Sequence, residues 1–258
     1  MNITIINDCR DENAKGRQIA RVSALFGSPV NFVGVANDVE AAGNTIDILD
    51  ATKGYEGVIL VNVAPRHGEA KKWENGTPFC YFWYDKKLIV ASVDGYTLSL
   101  VKKLKLAEHV HVLDIPKVTA ILEEKGEITA SEKEHIIHTQ FRSFDFLPRV
   151  AYYLVRNGEV ESKKVSVEEI PDFPSSVWWV DNFGNCKTTL VEGEISTTNF
   201  PYYNRLKDVP NGETALITGS SGLEGKRFLE LVVQGGSAAK QLGLSAGGSV
   251  ATNWKIEK

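Results

Sequence analysis

The chain of 258 residues is poor in cysteine, and the few cysteines that it has are isolated. Cys9, Cys80 and Cys186 are odd in number and show no CxxC or CxxH spacing. This pattern argues against a structural zinc site and is typical of a protein from a reducing compartment. We therefore expect a cytoplasmic location and no bound metal.

Positive charge and long apolar runs are also scarce. The 29 Lys and Arg residues are outnumbered by 33 Asp and Glu residues, which gives a net charge of −4. A nucleic-acid-binding protein usually carries a basic stripe, so we expect no nucleic-acid partner. No segment approaches 18 uninterrupted apolar residues, and the opening MNITIINDCRDENAKG lacks the features of a signal peptide, so we expect no membrane association.

What is present in the first half is an alternation of strand and helix patterns. The run GVILVNV at Gly57–Val63 is continuously apolar, as in a strand buried on both faces of a sheet. Alternating strands and helices predict an α/β sheet with parallel elements. The predicted strands are Asn2–Asn7, Val30–Val35, Gly57–Val63, Phe79–Trp83, Leu88–Ala91 and His109–Leu113, and the predicted helices are Ala14–Leu25, Ala41–Ala51, Ser131–His138 and Leu147–Val155.

The polar, proline-containing stretch Glu159–Pro174 predicts a domain boundary. Short strand patterns separated by Gly, Ser and Asn follow it, which favours a small antiparallel β-barrel or sandwich. We therefore predict domains at 1–160 and 175–258 with a linker at 161–174. The predicted strands of the second domain are Val177–Val180, Thr188–Val191, Thr214–Thr218, Phe228–Val233 and Ser249–Ile256.

Two strand ends in the first half carry residues suited to ligand binding, because ligands of α/β sheets gather at the carboxyl ends of strands. Asp8 follows the first strand, where a carboxylate can accept two hydrogen bonds from a vicinal diol or can cap the next helix. The turn APRHG follows the buried strand, and its Arg66 and His67 can present positive charge to an anion. Alternatively, His67 is a hydrogen-bonded structural residue.

The second half contains three polar loops. DNFGN, at Asp181–Asn185, combines a ring, a close backbone and an amide, which suits a planar heterocycle, although it also suits a hairpin turn. GSSG at Gly219–Gly222 and QGGSAA at Gln234–Ala239 are either turns or loops that bind a ligand through their backbone.

Together these loops resemble a known family. VWWVDNFGNCKTTL, ETALITGSSG and ELVVQGGSAAKQLGLSAGGSV match, in order and spacing, the C-terminal domain of the S-adenosylmethionine (SAM) hydroxide adenosyltransferase, chlorinase and fluorinase family. INDCRDEN, ILVNVAPRHG and FRSFDFLPRVAYYL resemble motifs of the family's N-terminal domain more faintly. The resemblance implies a Rossmann-like α/β N-terminal domain and a C-terminal antiparallel β-barrel.

The resemblance also implies the ligand and its site. The ligand would be SAM or adenosine, with no cofactor beyond SAM as substrate, and the protein would be a homotrimer with sites between subunits. The residues that match the family's binding positions are Phe183, Asn185, Gly235 and Gly236 at the adenine, Ser220 and Ser221 at the methionine and adenine end, Asp8 at the ribose, and Asn13 at the second opening aspartate.

The departures from the family concern the reacting groups. Members that use water carry an Asp, an Arg and a His at positions that here hold Ala64, Lys71 and Arg142, so no carboxylate or imidazole remains at these positions to take a proton. A nucleophile or anion pocket would instead consist of Arg66, His67, Lys71 and Arg142. We expect a SAM-cleaving adenosyltransferase or hydrolase; the alternatives are a catalytically altered SAM- or adenosine-binding protein and, third, a structural protein.

Overall fold

The computed structural model describes residues 1–64, 77–197, 199–223 and 225–250. These residues form two compact units. The first unit comprises Met1–Ile48 and Thr52–Pro171, and the second comprises Leu49–Ala51 and the chain from Asp172 onward.

The first unit is built on a mixed seven-stranded sheet. Its strands are β1 (Asn2–Asn7), β2 (Val30–Gly34), β3 (Gly57–Asn62), β4 (Phe79–Tyr84), β5 (Lys87–Ser92), β6 (His109–Val112) and β7 (Lys163–Ser166). Their order is β2-β1-β3-β5-β4-β6-β7. Strands β2, β1, β3 and β5 are parallel, whereas β4 is antiparallel to both of its neighbours. The predicted α/β class is confirmed.

Among the residues that the structure describes, seven helices lie between these strands. They are α1 (Glu12–Phe26), α2 (Asp38–Ala51), α3 (Ser99–Leu104), α4 (Ile115–Glu124), α5 (Ala130–His138), α6 (Arg142–Asp145) and α7 (Leu147–Asn157). On α7 the residues Leu147, Val150, Ala151 and Leu154 are buried, with the spacing of one helical face. This face packs on β3 and β5, every residue of which is buried apart from the last residue of β3.

The stretch predicted as a linker is partly sheet, which corrects that interpretation. Lys163–Ser166 form β7, which pairs antiparallel with β6 at the edge of the sheet. Both lysines at its start are exposed, so the segment lacks an apolar pattern. Such a strand is stabilised by pairing with a distant segment, which a local pattern does not reveal.

The second unit is built on a five-stranded sheet. Its strands are β8 (Val177–Val180), β9 (Cys186–Val191), β10 (Tyr202–Tyr203), β11 (Thr214–Leu223) and β12 (Lys226–Val233), in the order β10-β11-β12-β9-β8. A short helix, α8 (Ala238–Leu242), follows the last strand. The pairs are antiparallel as predicted, except that β10 and β11 run parallel.

The strand predicted at Ser249–Ile256 falls largely outside the described residues. Within them, Ser249 forms a single antiparallel bridge with Ser176. No helix in the described part of the chain is long and apolar enough to cross a membrane.

Candidate functional site

Asp8 lies where the two central parallel strands of the first unit end. Its backbone N–H donates to the carbonyl of Asn62 at 3.3 Å, and its Oδ2 accepts the N–H of Ala64 at 3.2 Å. Buried Asn7 holds this loop from below, because its Nδ2 donates to Gln18 Oε1 at 2.6 Å and its Oδ1 accepts the Cys9 N–H at 2.8 Å. The carboxylate is thus set at the carboxyl edge of the sheet, half-buried.

The helix cap is a different residue. Asp11 precedes α1, and its Oδ1 accepts the N–H groups of Asn13 and Ala14 at 3.1 and 3.0 Å. The interpretation of Asp8 as the N-cap is therefore wrong, because Asp11 satisfies the first-turn donors that it would have bound. Within the described part of the chain, the Asp8 side chain accepts from the Ala64 N–H, and its carboxylate has capacity for further hydrogen bonds.

A cavity of about 680 Å³ opens beside Asp8. It is bounded by the loop after β1, the end of β3, the residues leading into β4, and the segment that joins α5 to α6. Its lining residues are Asp8, Cys9, Asn62, Val63, Ala64, Thr77, Phe79, Ile137, His138, Thr139, Gln140, Phe141, Arg142 and Ser143. The structure therefore brings Asp8, Ala64 and Arg142 together.

Two groups of predicted residues are not placed in this cavity. Asn13 lies exposed on the first turn of α1 and is not among the lining residues. Arg66, His67 and Lys71 lie outside the described residues. Arg142 is thus the one member of the predicted anion pocket that lies in the described part of the chain.

Arg142 is half-buried at the start of α6. Its Nη2 donates to the carbonyl of Ile137 at 3.4 Å, while its buried Nε has no hydrogen-bond partner among the described residues. Burial lowers the pKa of this guanidinium from its ordinary value, although an arginine stays charged in a protein. A positive group with unused donors is suited to an anion or to an electron-rich oxygen.

The wall formed by residues 137–143 is fixed by a buried carboxylate. Asp145 Oδ2 lies 3.2 Å from His135 Nε2 and accepts the Thr139 hydroxyl at 3.4 Å, and Thr139 Oγ1 in turn accepts the Phe141 N–H at 3.0 Å. Arg21 Nη1 lies 3.7 Å from Asp145 Oδ1 on the other side. These contacts hold Phe141, which is 70% exposed, at the cavity.

Sequence reasoning missed His138. It is the last residue of α5 and lines the cavity, and its Nε2 lies 3.7 Å from Glu134 Oε2 one helical turn earlier. Its signal in the sequence is weak, because a histidine in the last turn of a helix is common on structural grounds alone.

In the second unit, the DNFGN segment is the turn between β8 and β9. Asp181 Oδ1 accepts the N–H groups of Phe183 and Asn185 at 2.8 and 2.9 Å, and its Oδ2 accepts Asn185 Nδ2 at 3.0 Å. The turn interpretation is correct. The same contacts orient the Asn185 amide and leave the ring of Phe183 72% exposed.

The QGGSAA loop is attached to this turn. Gly184 accepts the N–H of Ala239 at 2.9 Å, and Ser237 caps α8 by accepting the Lys240 N–H at 3.2 Å. Gly235 has a positive φ of 75°, and a Cβ on Gly236 would lie 2.9 Å from Val233 Cγ1. Hence the two loops with predicted adenine-binding residues form one packed structure.

The GSSG segment belongs to β11, where the pairing with β12 shifts in register between Thr218 and Gly222. The Lys187 ammonium lies 2.6 Å from the Ser221 hydroxyl oxygen and 3.3 Å from that of Ser220. Glu230 Oε1 accepts the Ser220 N–H at 3.1 Å and lies 4.0 Å from the ammonium. Both predicted serines therefore contact a lysine that the sequence interpretation left out.

Comparison with known proteins agrees with the resemblance in the sequence. Residues 175–251 match the model of the SAM hydroxide adenosyltransferase C-terminal domain. No curated protein shows a significant match to the chain.

Two solved structures share the fold over nearly the whole chain. An uncharacterized conserved protein from Thermotoga maritima is 16% identical, with a TM-score of 0.64, covering 95% of this chain and 97% of its own. A conserved hypothetical protein from Thermus thermophilus is 20% identical, with a TM-score of 0.54, covering 95% of this chain and 96% of its own. At these identities they show the fold alone. Residues 175–251 are thus similar to the C-terminal domain of the SAM hydroxide adenosyltransferase family, and this similarity supports SAM-using activity in general.

Proposed function

We propose that the protein cleaves SAM by nucleophilic substitution at C5′. The products are methionine and adenosine, or a 5′-substituted adenosine when a small anion replaces water. The observation that carries this proposal is the hairpin turn Asp181–Asn185, which lies within the family match and presents an exposed aromatic ring beside an oriented amide.

The turn has the chemistry to bind adenine. The exposed ring of Phe183 offers a face for stacking, and Asn185 is oriented by Asp181. The amide oxygen of Asn185 can accept from the adenine amino group, and the backbone at Gly235 and Gly236 allows close approach.

Two further groups fit the rest of SAM. Asp8, which does not cap α1, can accept hydrogen bonds from both ribose hydroxyls. Ser220 and Ser221, with the Lys187 ammonium between their hydroxyls, can hold the methionine carboxylate. A homotrimer, which the resemblance implies, would bring binding groups of different subunits together.

The reaction requires little beyond positioning. SAM is a sulfonium, so the C5′–S bond already has a good leaving group, and the protein needs to align and desolvate the nucleophile. Arg142 lines the cavity and can stabilise an anion there through the positive charge of its guanidinium. The same charge repels the sulfonium, but this repulsion disappears as the positive charge on sulfur is lost.

A second candidate is a SAM- or adenosine-binding protein with altered catalysis. It is favoured by Ala64 and Arg142, which line the cavity at positions where water-using members of the family carry an acid and an imidazole. Neither residue takes a proton from water at neutral pH.

One experiment separates the two candidates. Purified protein is incubated with SAM in buffers that differ in their anion, and adenosine, methionine and 5′-substituted adenosines are followed by chromatography. Production of methionine together with adenosine, or with the 5′-substituted adenosine of the anion in the buffer, supports cleavage. Calorimetric binding of adenosine without any turnover would contradict cleavage and support the second candidate.

A further inference from the structure

We infer that His138 takes the proton from the attacking water in the proposed SAM cleavage, and that water is therefore the nucleophile. This inference rests on the proposed function. It adds a residue that the family resemblance does not supply, since the position matching the family's histidine is Arg142.

The first support is the composition of the cavity wall. Among its described lining residues, His138 is the one imidazole, beside one carboxylate, Asp8, and one guanidinium, Arg142. An imidazole is the side chain whose ordinary titration lies between pH 5 and 8, so it can accept a proton near neutral pH. Asp8 is already engaged with the Ala64 N–H and is the ribose ligand of the proposal.

The second support is the arrangement around the ring. Glu134 Oε2 lies 3.7 Å from His138 Nε2, which places a negative charge on one side of the imidazole. In the neutral tautomer that carries its proton on Nε2, on the side of this carboxylate, Nδ1 has the lone pair that can accept the proton of water. The other charged or titratable residues among the described lining of the cavity are Asp8, Cys9 and Arg142.

The third support is that the wall carrying His138 is held in place. Asp145 binds both His135 of the same helix and Thr139, the residue that follows His138. A base must be held within hydrogen-bond reach of its proton, which a fixed helix end allows.

The step balances with water as the only co-reactant. The water oxygen forms a bond to C5′ while the C5′–S bond breaks. The electron pair of the C5′–S bond stays on sulfur, which leaves as the neutral thioether of methionine. One proton passes from the water to His138 Nδ1 and then to solvent. Adenosine, methionine and one proton are the products.

The test uses the full chain with His138→Gln, which keeps a polar side chain but cannot act as a base near neutral pH. At saturating SAM we expect kcat for adenosine release to fall by about 10²–10⁴-fold, with calorimetric adenosine affinity within about twofold of wild type. The wild-type kcat should decline at acidic pH, because a base that already carries a proton cannot accept one from water. This decline should be absent in the variant.

Two matched variants make the result specific. His109→Gln changes a histidine of β6 that does not line the cavity, and it should keep the wild-type kcat and pH profile. His67→Gln tests the histidine outside the described residues. A wild-type profile in His138→Gln, or loss of the acidic decline in His67→Gln instead, would overturn the inference while leaving the proposed function intact. Release of methionine with a 5′-substituted adenosine, but no adenosine, would likewise overturn the inference and leave the proposed function intact. If wild-type protein releases no methionine from SAM, the proposed function fails and the inference falls with it.

Discussion

Gly184 lies so close to Ser237 that no side chain fits between them: a Cβ built on Gly184 would overlap Ser237 Oγ. Gly184 also has a φ of 85°, where a residue with a Cβ is strained. The contact joins the turn that presents Phe183 to the N-terminus of α8. Two loops that the resemblance assigns to adenine are thus one rigid structure.

Gly184→Ala should destabilise the second unit by about 2 kcal/mol or more, because it adds steric overlap to backbone strain. Denaturant unfolding followed by tryptophan fluorescence measures the loss. In a Ser237→Gly background the same substitution should cost about 1 kcal/mol less, since the overlapping atom is gone. Gly193→Ala, where a Cβ meets nothing within 4 Å, is the control and should change stability by under about 0.5 kcal/mol. Equal costs in both backgrounds would refute the contact.

Phe183→Ala should weaken adenosine binding about 10-fold or more, because stacking of a base on an aromatic ring contributes about 1–3 kcal/mol. The melting temperature should stay unchanged, since the ring is 72% exposed. Calorimetry and thermal unfolding measure the two effects. Tyr55→Ala removes an aromatic side chain of similar exposure from a loop of the first unit and should leave binding intact. Unaltered affinity in Phe183→Ala would rule out stacking.

Substitution of Asp8 should affect ligand binding, whereas substitution of Asp11 should affect stability. Asp8→Asn should weaken binding of adenosine but not of 2′,3′-dideoxyadenosine, because the proposed contact is to the ribose hydroxyls. Asp11→Ala should lower the free energy of unfolding by about 1 kcal/mol through loss of the α1 cap, with affinity unchanged. Calorimetry with both nucleosides and chemical denaturation measure these effects. The prediction is contradicted if Asp8→Asn weakens both nucleosides equally.

Cys9 should be the cysteine that reacts with iodoacetamide in the native protein at about pH 8. It is exposed, whereas burial raises the pKa of Cys80 to about 12 and that of Cys186 to about 11. Because Cys9 lines the cavity, a bound nucleoside should slow its modification. Mass spectrometry after timed labelling, with Cys9→Ser as the blank, measures both effects. Rapid native labelling of Cys80 would show that the core of the first unit is less closed than described.

The Glu132 carboxylate should stabilise the folded protein at neutral pH and lose this effect in acid. The Thr129 N–H, followed by Arg149 and the Thr129 hydroxyl, lowers the pKa of this carboxyl below its ordinary value of 4.5. A depressed pKa in the folded state stabilises it above about pH 4.5, and this stabilisation is lost as the pH falls through the folded-state pKa.

Glu132→Gln should therefore show a shallower loss of stability between about pH 5 and pH 3 than wild type, measured by thermal unfolding across that range. Glu124→Gln, at an exposed position of α4, is the matched control and should keep the wild-type slope. At the start of α5, the Thr129 hydroxyl accepts the Glu132 N–H and the Glu132 carboxylate accepts the Thr129 N–H. Identical slopes for all three proteins would show that this reciprocal cap does not depend on the Glu132 charge.

Local patterns predicted most of the fold. Gly57–Asn62 form a strand because a run of apolar residues is stable there when both faces are buried, and β1 and β8 have the predicted bounds. The edge strand β7 and the parallel pair of β10 and β11 were missed. Their pairing partners are distant in sequence, and their own composition does not demand a strand.

By itself, the sequence determined the α/β class, the similarity of the C-terminal part to the SAM hydroxide adenosyltransferase domain and the residues of the DNFGN turn. The tertiary structure decided that Asp11 rather than Asp8 caps α1, and that His138 shares a cavity with Asp8, Ala64 and Arg142. The reason is that a turn is formed by residues that are neighbours in the chain, so a short sequence motif is enough to predict it. A cavity wall joins segments far apart along the chain, and only the packing of helices on the sheet brings them together.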